Sequence, residues 1–205
     1  MGENQDQQDF WSSQAGEKWV QHQRDMDALL APVLQLVLDH ADLKAGETVM
    51  DIGCGAGTST AKAAKLVGEN GHCTGVDIAD TLLDHAAREL DRKNIDWMLA
   101  DAQTHSFQPK THDAIISRFG VMFFADTVAA LTNIRTSLKP SGPLEDQPRK
   151  TRGSCCPPRP QKPNLDRCQK RTAAYLAHLP LKAKPMWSQC LRPRVSQRLR
   201  PATTP

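Results

Sequence analysis

The chain has 205 residues, 39% hydrophobic and 24% charged, a size and composition that suit one α/β domain with an appendage. Its net charge of +3 averages two unlike parts: residues 1–142 carry 12 Lys and Arg against 20 Asp and Glu, whereas residues 143–205 carry 14 against 3. No apolar run reaches the roughly 18 residues of a membrane span, no secretory signal opens the chain and no Cys-x-x-Cys pair marks a zinc site, so a cytoplasmic protein with neither membrane nor metal partner is expected.

Leu29, Leu30, Val33, Leu34, Val37, Leu38 and Ala41 recur at helical spacing and predict a helix that starts or bends near Pro32. One or two helices are therefore expected in residues 1–44. Residues 48–52 read as a short buried strand, followed by a glycine loop and an alanine-rich, helix-favouring stretch over 59–67. A second strand is expected over 72–77. Leu82, Leu83, Ala86 and Leu90 mark a helix, and Ile95, Trp97 and Leu99 alternate as a third strand. Residues 113–117 form a fourth, and Val128, Leu131, Ile134 and Leu138 give a last amphipathic helix before Lys139-Pro-Ser-Gly142. This alternation predicts an α/β, Rossmann-like parallel sheet in residues 45–142, with strand order 3-2-1-4 from right-handed crossovers.

Val49-Met-Asp-Ile-Gly-Cys-Gly-Ala-Gly57 carries the chemistry. Gly53, Gly55 and Gly57 let the backbone turn sharply and approach a ligand with no Cβ in the way. The first amides of the next helix favour a negative group in the same space. Asp77, 22 residues after Gly55, ends the second strand, where an acid in such a fold accepts hydrogen bonds from a ribose diol. A nucleoside-shaped site is the prediction. The G-x-G-x-G spacing differs from the G-x-G-x-x-G of dinucleotide sites. Asp51 also sets a carboxylate where a pyrophosphate must lie, a position suited instead to a cationic amino group. Both features disfavour a nicotinamide-dependent oxidoreductase.

At these residues the chain resembles the class I S-adenosylmethionine-dependent methyltransferases, in the branch of the ubiquinone/menaquinone-biosynthesis C-methyltransferases. The resemblance covers about residues 9–142. It includes Phe10-Trp11, Gly16-Glu-Lys-Trp19, the glycine motif with Asp51, Gly75-Val-Asp77-Ile and Ala100-Asp101-Ala102-Gln, then Ser117-Arg-Phe-Gly-Val-Met-Phe-Phe124 and Leu138-Lys-Pro-Ser-Gly142. It implies S-adenosyl-L-methionine as cofactor and a small molecule as methyl acceptor. Gly53, Cys54, Gly55 and Gly57 would wrap the methionine half, with Asp51 bracing the loop or facing the amino group. Asp77 would hold the ribose hydroxyls, Ile78 would lie against the adenine, and Asp101 and Ala102 would meet its amine and ring. Ser117 would offer backbone contacts near the methionine moiety.

Plainer readings stand beside these. Asp101 reads equally as a cap for its turn, Trp11 and Trp19 as core anchors, and Phe119, Met122, Phe123 and Phe124 as apolar wall. Cys54 is a small loop residue rather than a nucleophile, and His85, His105 and His112 read as solvated. No residue reads as a catalytic base.

After Gly142 the pattern departs from the family. Of 14 prolines, 11 fall in residues 143–205, as do 4 of the 6 cysteines, and no candidate for strands five to seven exists there. These residues are expected to be a basic, largely disordered tail, of the kind that truncation or out-of-frame reading of GC-rich coding DNA gives. Methyl transfer is then expected to be impaired, and an inactive cofactor-binding remnant is the alternative. The tail's charge suits nucleic acid, but Tyr175 and Trp187 are its only aromatics and no motif accompanies them, so no such partner is expected.

Overall fold

The period-two and helical apolar patterns of residues 29–134 bury two stripes, one on each face of a parallel sheet. The computed structural model describes Gly2 and residues 4–140; the expectations for residues 143–205 lie outside them. Along the chain run α1 (Gln5–Trp11), α2 (Gln14–Gln21), α3 (Gln23–Ala41), β1 (Thr48–Ile52), α4 (Thr58–Val67), β2 (His72–Asp77), α5 (Asp80–Glu89), β3 (Ile95–Leu99) and β4 (Ala114–Ile116). A 3₁₀ turn (Gly120–Phe123) and α6 (Thr127–Arg135) follow.

The sheet order is β3-β2-β1-β4, and all three pairings are parallel. β1 lies opposite β2 from Thr48↔His72 to Ile52↔Val76 and opposite β4 from Val49↔Ala114 to Asp51↔Ile116. Alternation along β1 separates two cores. Val49 packs with Leu34, Val37, Leu38 and Ala41 of α3 and Ala63, Ala64 and Val67 of α4. Met50 and Ile52 face the other way, against Phe107 and, on α6, Ala130 and Ile134.

Three helices precede the sheet where one or two were expected. The extra break falls at Ser12–Ser13, where the Ser13 hydroxyl donates to the Phe10 carbonyl at 2.6 Å and competes with helix continuation. α3 runs through Pro32 rather than starting there. Pro32 and Ala28 both lie on the exposed side of the helix, while four buried residues beyond the proline anchor it. α6 stops at Arg135, short of Leu138. The chain tightens through i+3 bonds there, and the Lys139 amide donates to the His112 carbonyl at 2.8 Å, a ladder contact that ends the helix. Among the described residues no strand lies beyond β4.

Candidate functional site

The chain order reverses between β1 and β4, and ligands of open α/β sheets bind in the crevice at the carboxyl ends of strands beside such a switch point. A cavity of about 840 Å³ opens there, within the range of roughly 300–1,000 Å³ that encloses a drug-sized ligand. Of the ten residues singled out above, Gly53, Gly55, Asp77, Ile78, Asp101 and Ala102 line it. Asp51, Cys54, Gly57 and Ser117 stand behind the wall.

The glycine loop holds its shape for separate reasons at each position. Gly53, Gly55 and Gly57 all have φ between +56° and +84°. A Cβ on Gly53 would lie 2.5 Å from Gly120 Cα, and one on Gly57 would lie 2.5 Å from the Trp97 ring. A Cβ on Gly55 would meet nothing within 4 Å, so at this residue the loop leaves room facing the cavity.

Asp51 is 1% exposed and pins the loop to the start of α4. Its Oδ2 accepts from Ser59 Oγ at 2.6 Å and Thr60 Oγ1 at 2.7 Å, while Oδ1 is buried with no partner. Burial pushes its carboxyl up to about 6, against the pull of the two hydroxyls and the Arg118 charge. Asp77 Oδ2 accepts from the Gly55 amide at 2.7 Å and Oδ1 from the Ala79 amide at 2.9 Å, so it fixes the loop across β1 and β2. Burial raises its carboxyl as well, against those backbone bonds. Asp101 caps its own turn by accepting from the Gln103 amide at 2.9 Å, and Asn4 Nδ2 lies 3.0 Å from both of its oxygens. The Ser117 hydroxyl donates to the Ile52 carbonyl at 2.7 Å and ties β4 to β1. Burial also drives the Cys54 thiol well above its ordinary range, which leaves no thiolate for chemistry.

Arg118, Lys18 and His22, which the sequence did not single out, complete the cavity together with the aromatic residues it read as core anchors and apolar wall. Arg118, its side chain 8% exposed, lines it and pairs with Asp27 of α3 at 3.0 Å. Asp27 also accepts from Thr58 Oγ1 at 2.6 Å, Gln23 Nε2 donates to the same hydroxyl at 3.1 Å, and His85 Nε2 donates to Gln23 Oε1 at 2.8 Å. This polar seam docks α3 onto the start of α4. On the opposite side Phe10, Trp11, Trp19, Phe123 and Phe124 form an aromatic wall around Trp11, whose ring makes edge contacts with Trp19 at 5.8 Å and Phe123 at 5.6 Å. Lys18 and His22 line the same side. The helical spacing of Ala15, Lys18, Trp19 and His22 was the available signal for Lys18 and His22. Arg118 had none beyond its place in the string after Ser117.

Residues 49–142 match the family model described as a methyltransferase domain. The matched stretch, just under half of the chain, runs from β1 past α6. Over 114 residues, 54% of this chain, it is 33% identical to the aklanonic acid methyltransferase of Streptomyces sp. (strain C5), covering 52% of that protein. A ubiquinone/menaquinone biosynthesis C-methyltransferase of Klebsiella pneumoniae is 32% identical over the same length, with 45% of it covered. The chain thus spans about half the length of the curated relatives it matches. Among solved structures, a TehB-like S-adenosylmethionine-dependent methyltransferase from Corynebacterium glutamicum aligns at a TM-score of 0.50 and 25% identity, over 62% of this chain and 68% of that one. Among the described residues no cluster of His, Cys, Asp and Glu could hold a metal ion, and no helix is long and apolar enough to cross a membrane.

Proposed function

We propose that the domain binds S-adenosyl-L-methionine in this cavity and transfers its methyl group to a small molecule with an apolar face. One observation carries the reading. The loop after β1, Asp77 after β2 and Asp101 after β3 all line one cavity beside the switch point, and Gly55 leaves open space there.

The residues present fit the cofactor. Asp77 keeps acceptor capacity for ribose hydroxyls after its two backbone bonds, and Ile78 supplies an apolar face for adenine. Asp101 accepts from the adenine amine, and Ala102 offers its amide to the ring. Gly53, Gly55 and Gly57, with Cys54 between them, shape the loop around the methionine half. Asp51 braces the loop from behind through Ser59 and Thr60, while Arg118 and the amino end of α4 suit a carboxylate. Ser117 holds β4 in register for these contacts.

When bound, the cofactor supplies an already activated methyl on a sulfonium, displaced in line. The chain's own work is alignment and exclusion of water. The aromatic wall of α1, α2 and the 3₁₀ turn orients an acceptor, and Lys18 and His22 are the titratable side chains on that side. No catalytic base is assigned. The two relatives are named for an aklanonic acid substrate and for quinone biosynthesis, which supports a small-molecule acceptor. Turnover is proposed to lag behind cofactor binding, from the composition of residues 143–205. The buried free thiols of Cys54 and Cys73 suit a reducing compartment such as the cytoplasm.

The test is transfer of label from methyl-labelled S-adenosylmethionine to a panel of phenolic and enolisable acceptors by the full chain. Label in an acceptor supports the reading. Cofactor binding without transfer to any acceptor would favour the non-catalytic alternative.

A further inference from the structure

We infer that Asn4 is a positioning residue for the adenine end of the cofactor and the catch that closes α1 and α2 over the cavity. The inference rests on the cofactor reading above. Asn4 is 4% exposed, whereas α1, which begins at the next residue, buries none of its own residues. Its amide is oriented without ambiguity. The Ala125 backbone N–H can only donate, and it lies 2.8 Å from Asn4 Oδ1, so the nitrogen faces Asp101 and Gln103.

That nitrogen lies 3.0 Å from Asp101 Oδ1, 3.0 Å from Oδ2 and 3.2 Å from Gln103 Oε1. Gln103 Oε1 in turn accepts from the Asp126 amide at 3.0 Å, at the N-cap of α6. One side chain from the start of the chain therefore joins the loop after β3 to the loop before α6.

The acceptor arithmetic gives the bond its role. A carboxylate has about four acceptor positions. The Gln103 amide uses one on Oδ1, and Asn4 is shared across both oxygens, so a position remains on Oδ2. Asn4 thus fixes the rotation of Asp101 while leaving it able to accept an exocyclic amine. The same bond holds down α1, which together with α2 contributes Gln7, Phe10, Trp11, Lys18 and Trp19 to the cavity wall. The junction of α1 and α2 is tied separately, by Thr81 Oγ1 donating to the Ser12 carbonyl at 3.1 Å. Opening at Asn4 can therefore swing α1 without detaching α2.

The test compares the full-length parent, Asn4→Ala and Asn4→Asp in calorimetric titrations with S-adenosylhomocysteine and S-inosylhomocysteine, whose ring carries a carbonyl in place of the amine. Hydrogen exchange across residues 4–22 is followed in parallel. The parent is expected to prefer the adenosyl ligand by roughly ten- to a hundredfold, the size of one charged hydrogen bond. Asn4→Ala should weaken adenosyl binding about tenfold, collapse most of that preference and speed exchange in α1. Asn4→Asp, which faces Asp101 with a like charge, should do more of each. A merely structural role would lower stability yet leave the base preference intact, and that outcome overturns the inference. So does parental affinity and preference in Asn4→Ala. Failure of the parent itself to bind S-adenosylhomocysteine would instead sink the cofactor reading on which the inference stands.

Discussion

Three glycines with similar backbone angles make different demands on the loop, and substitution separates them. Gly53→Ala forces a Cβ against the Gly120 backbone, so strain in the left-handed region adds to overpacking. The expected loss is about 2–4 kcal/mol in a denaturant titration. Gly55→Ala carries only the backbone strain, about 1–2 kcal/mol, because its Cβ enters open space. Its larger effect should be on cofactor affinity. A Gly55→Ala chain that binds S-adenosylhomocysteine as the parent does would show that this space is not the cofactor's.

Asp51 makes stability depend on pH with a definite sign. Its folded carboxyl titrates near 6, above the ordinary 3.8, so the folded state holds the proton more tightly than the unfolded chain. Stability from this group is highest below about 4 and falls as pH rises through 6, by roughly 3 kcal/mol in all. Asp51→Asn should remove that slope and gain stability at neutral pH, at the expense of cofactor affinity. Denaturation midpoints of both chains between pH 4.5 and 7.5 measure it. A parent-minus-variant difference that does not change with pH would contradict the assignment. At this scale the glycine loop, Asp77 and Asp101 were legible because their spacing is set by strand ends. Asn4 and Arg118 were not. Each acts through a partner about 90 residues away or more, and sequence carries no period for that.

Elements were legible where apolar runs are short and bounded by turn residues. The four strands and α4 to α6 fell within a few residues of expectation, β1, β2 and β4 as apolar runs that feed both cores and the helices as one buried stripe each. The divided α1–α2 pair was not legible, because its apolar residues face a cavity rather than a core and leave α1 with no buried position. Pro32 pointed to a helix start or bend and in fact sits mid-helix on the solvent side. Pro32→Ala should therefore stabilise α3, by up to about 3 kcal/mol, with no change in cofactor affinity. A lower thermal midpoint in that variant would show that the proline relieves a crowding which the helix geometry does not reveal.

For the whole molecule, the order β3-β2-β1-β4 does the decisive work. It puts three successive strand ends on one side of a crevice and leaves the other side to α1, α2 and the 3₁₀ turn. The acidic groups gather on the first side and the aromatic ones on the second, the division on which the proposed cofactor and acceptor halves rest. Calorimetric titration of the full chain and of Asp77→Ala with S-adenosylhomocysteine, with NAD as competitor, tests this division most directly. Saturable binding by the parent, at least about tenfold weaker binding by the variant, and no displacement by NAD are expected. Equal affinity of parent and variant, or displacement by NAD, would contradict the division.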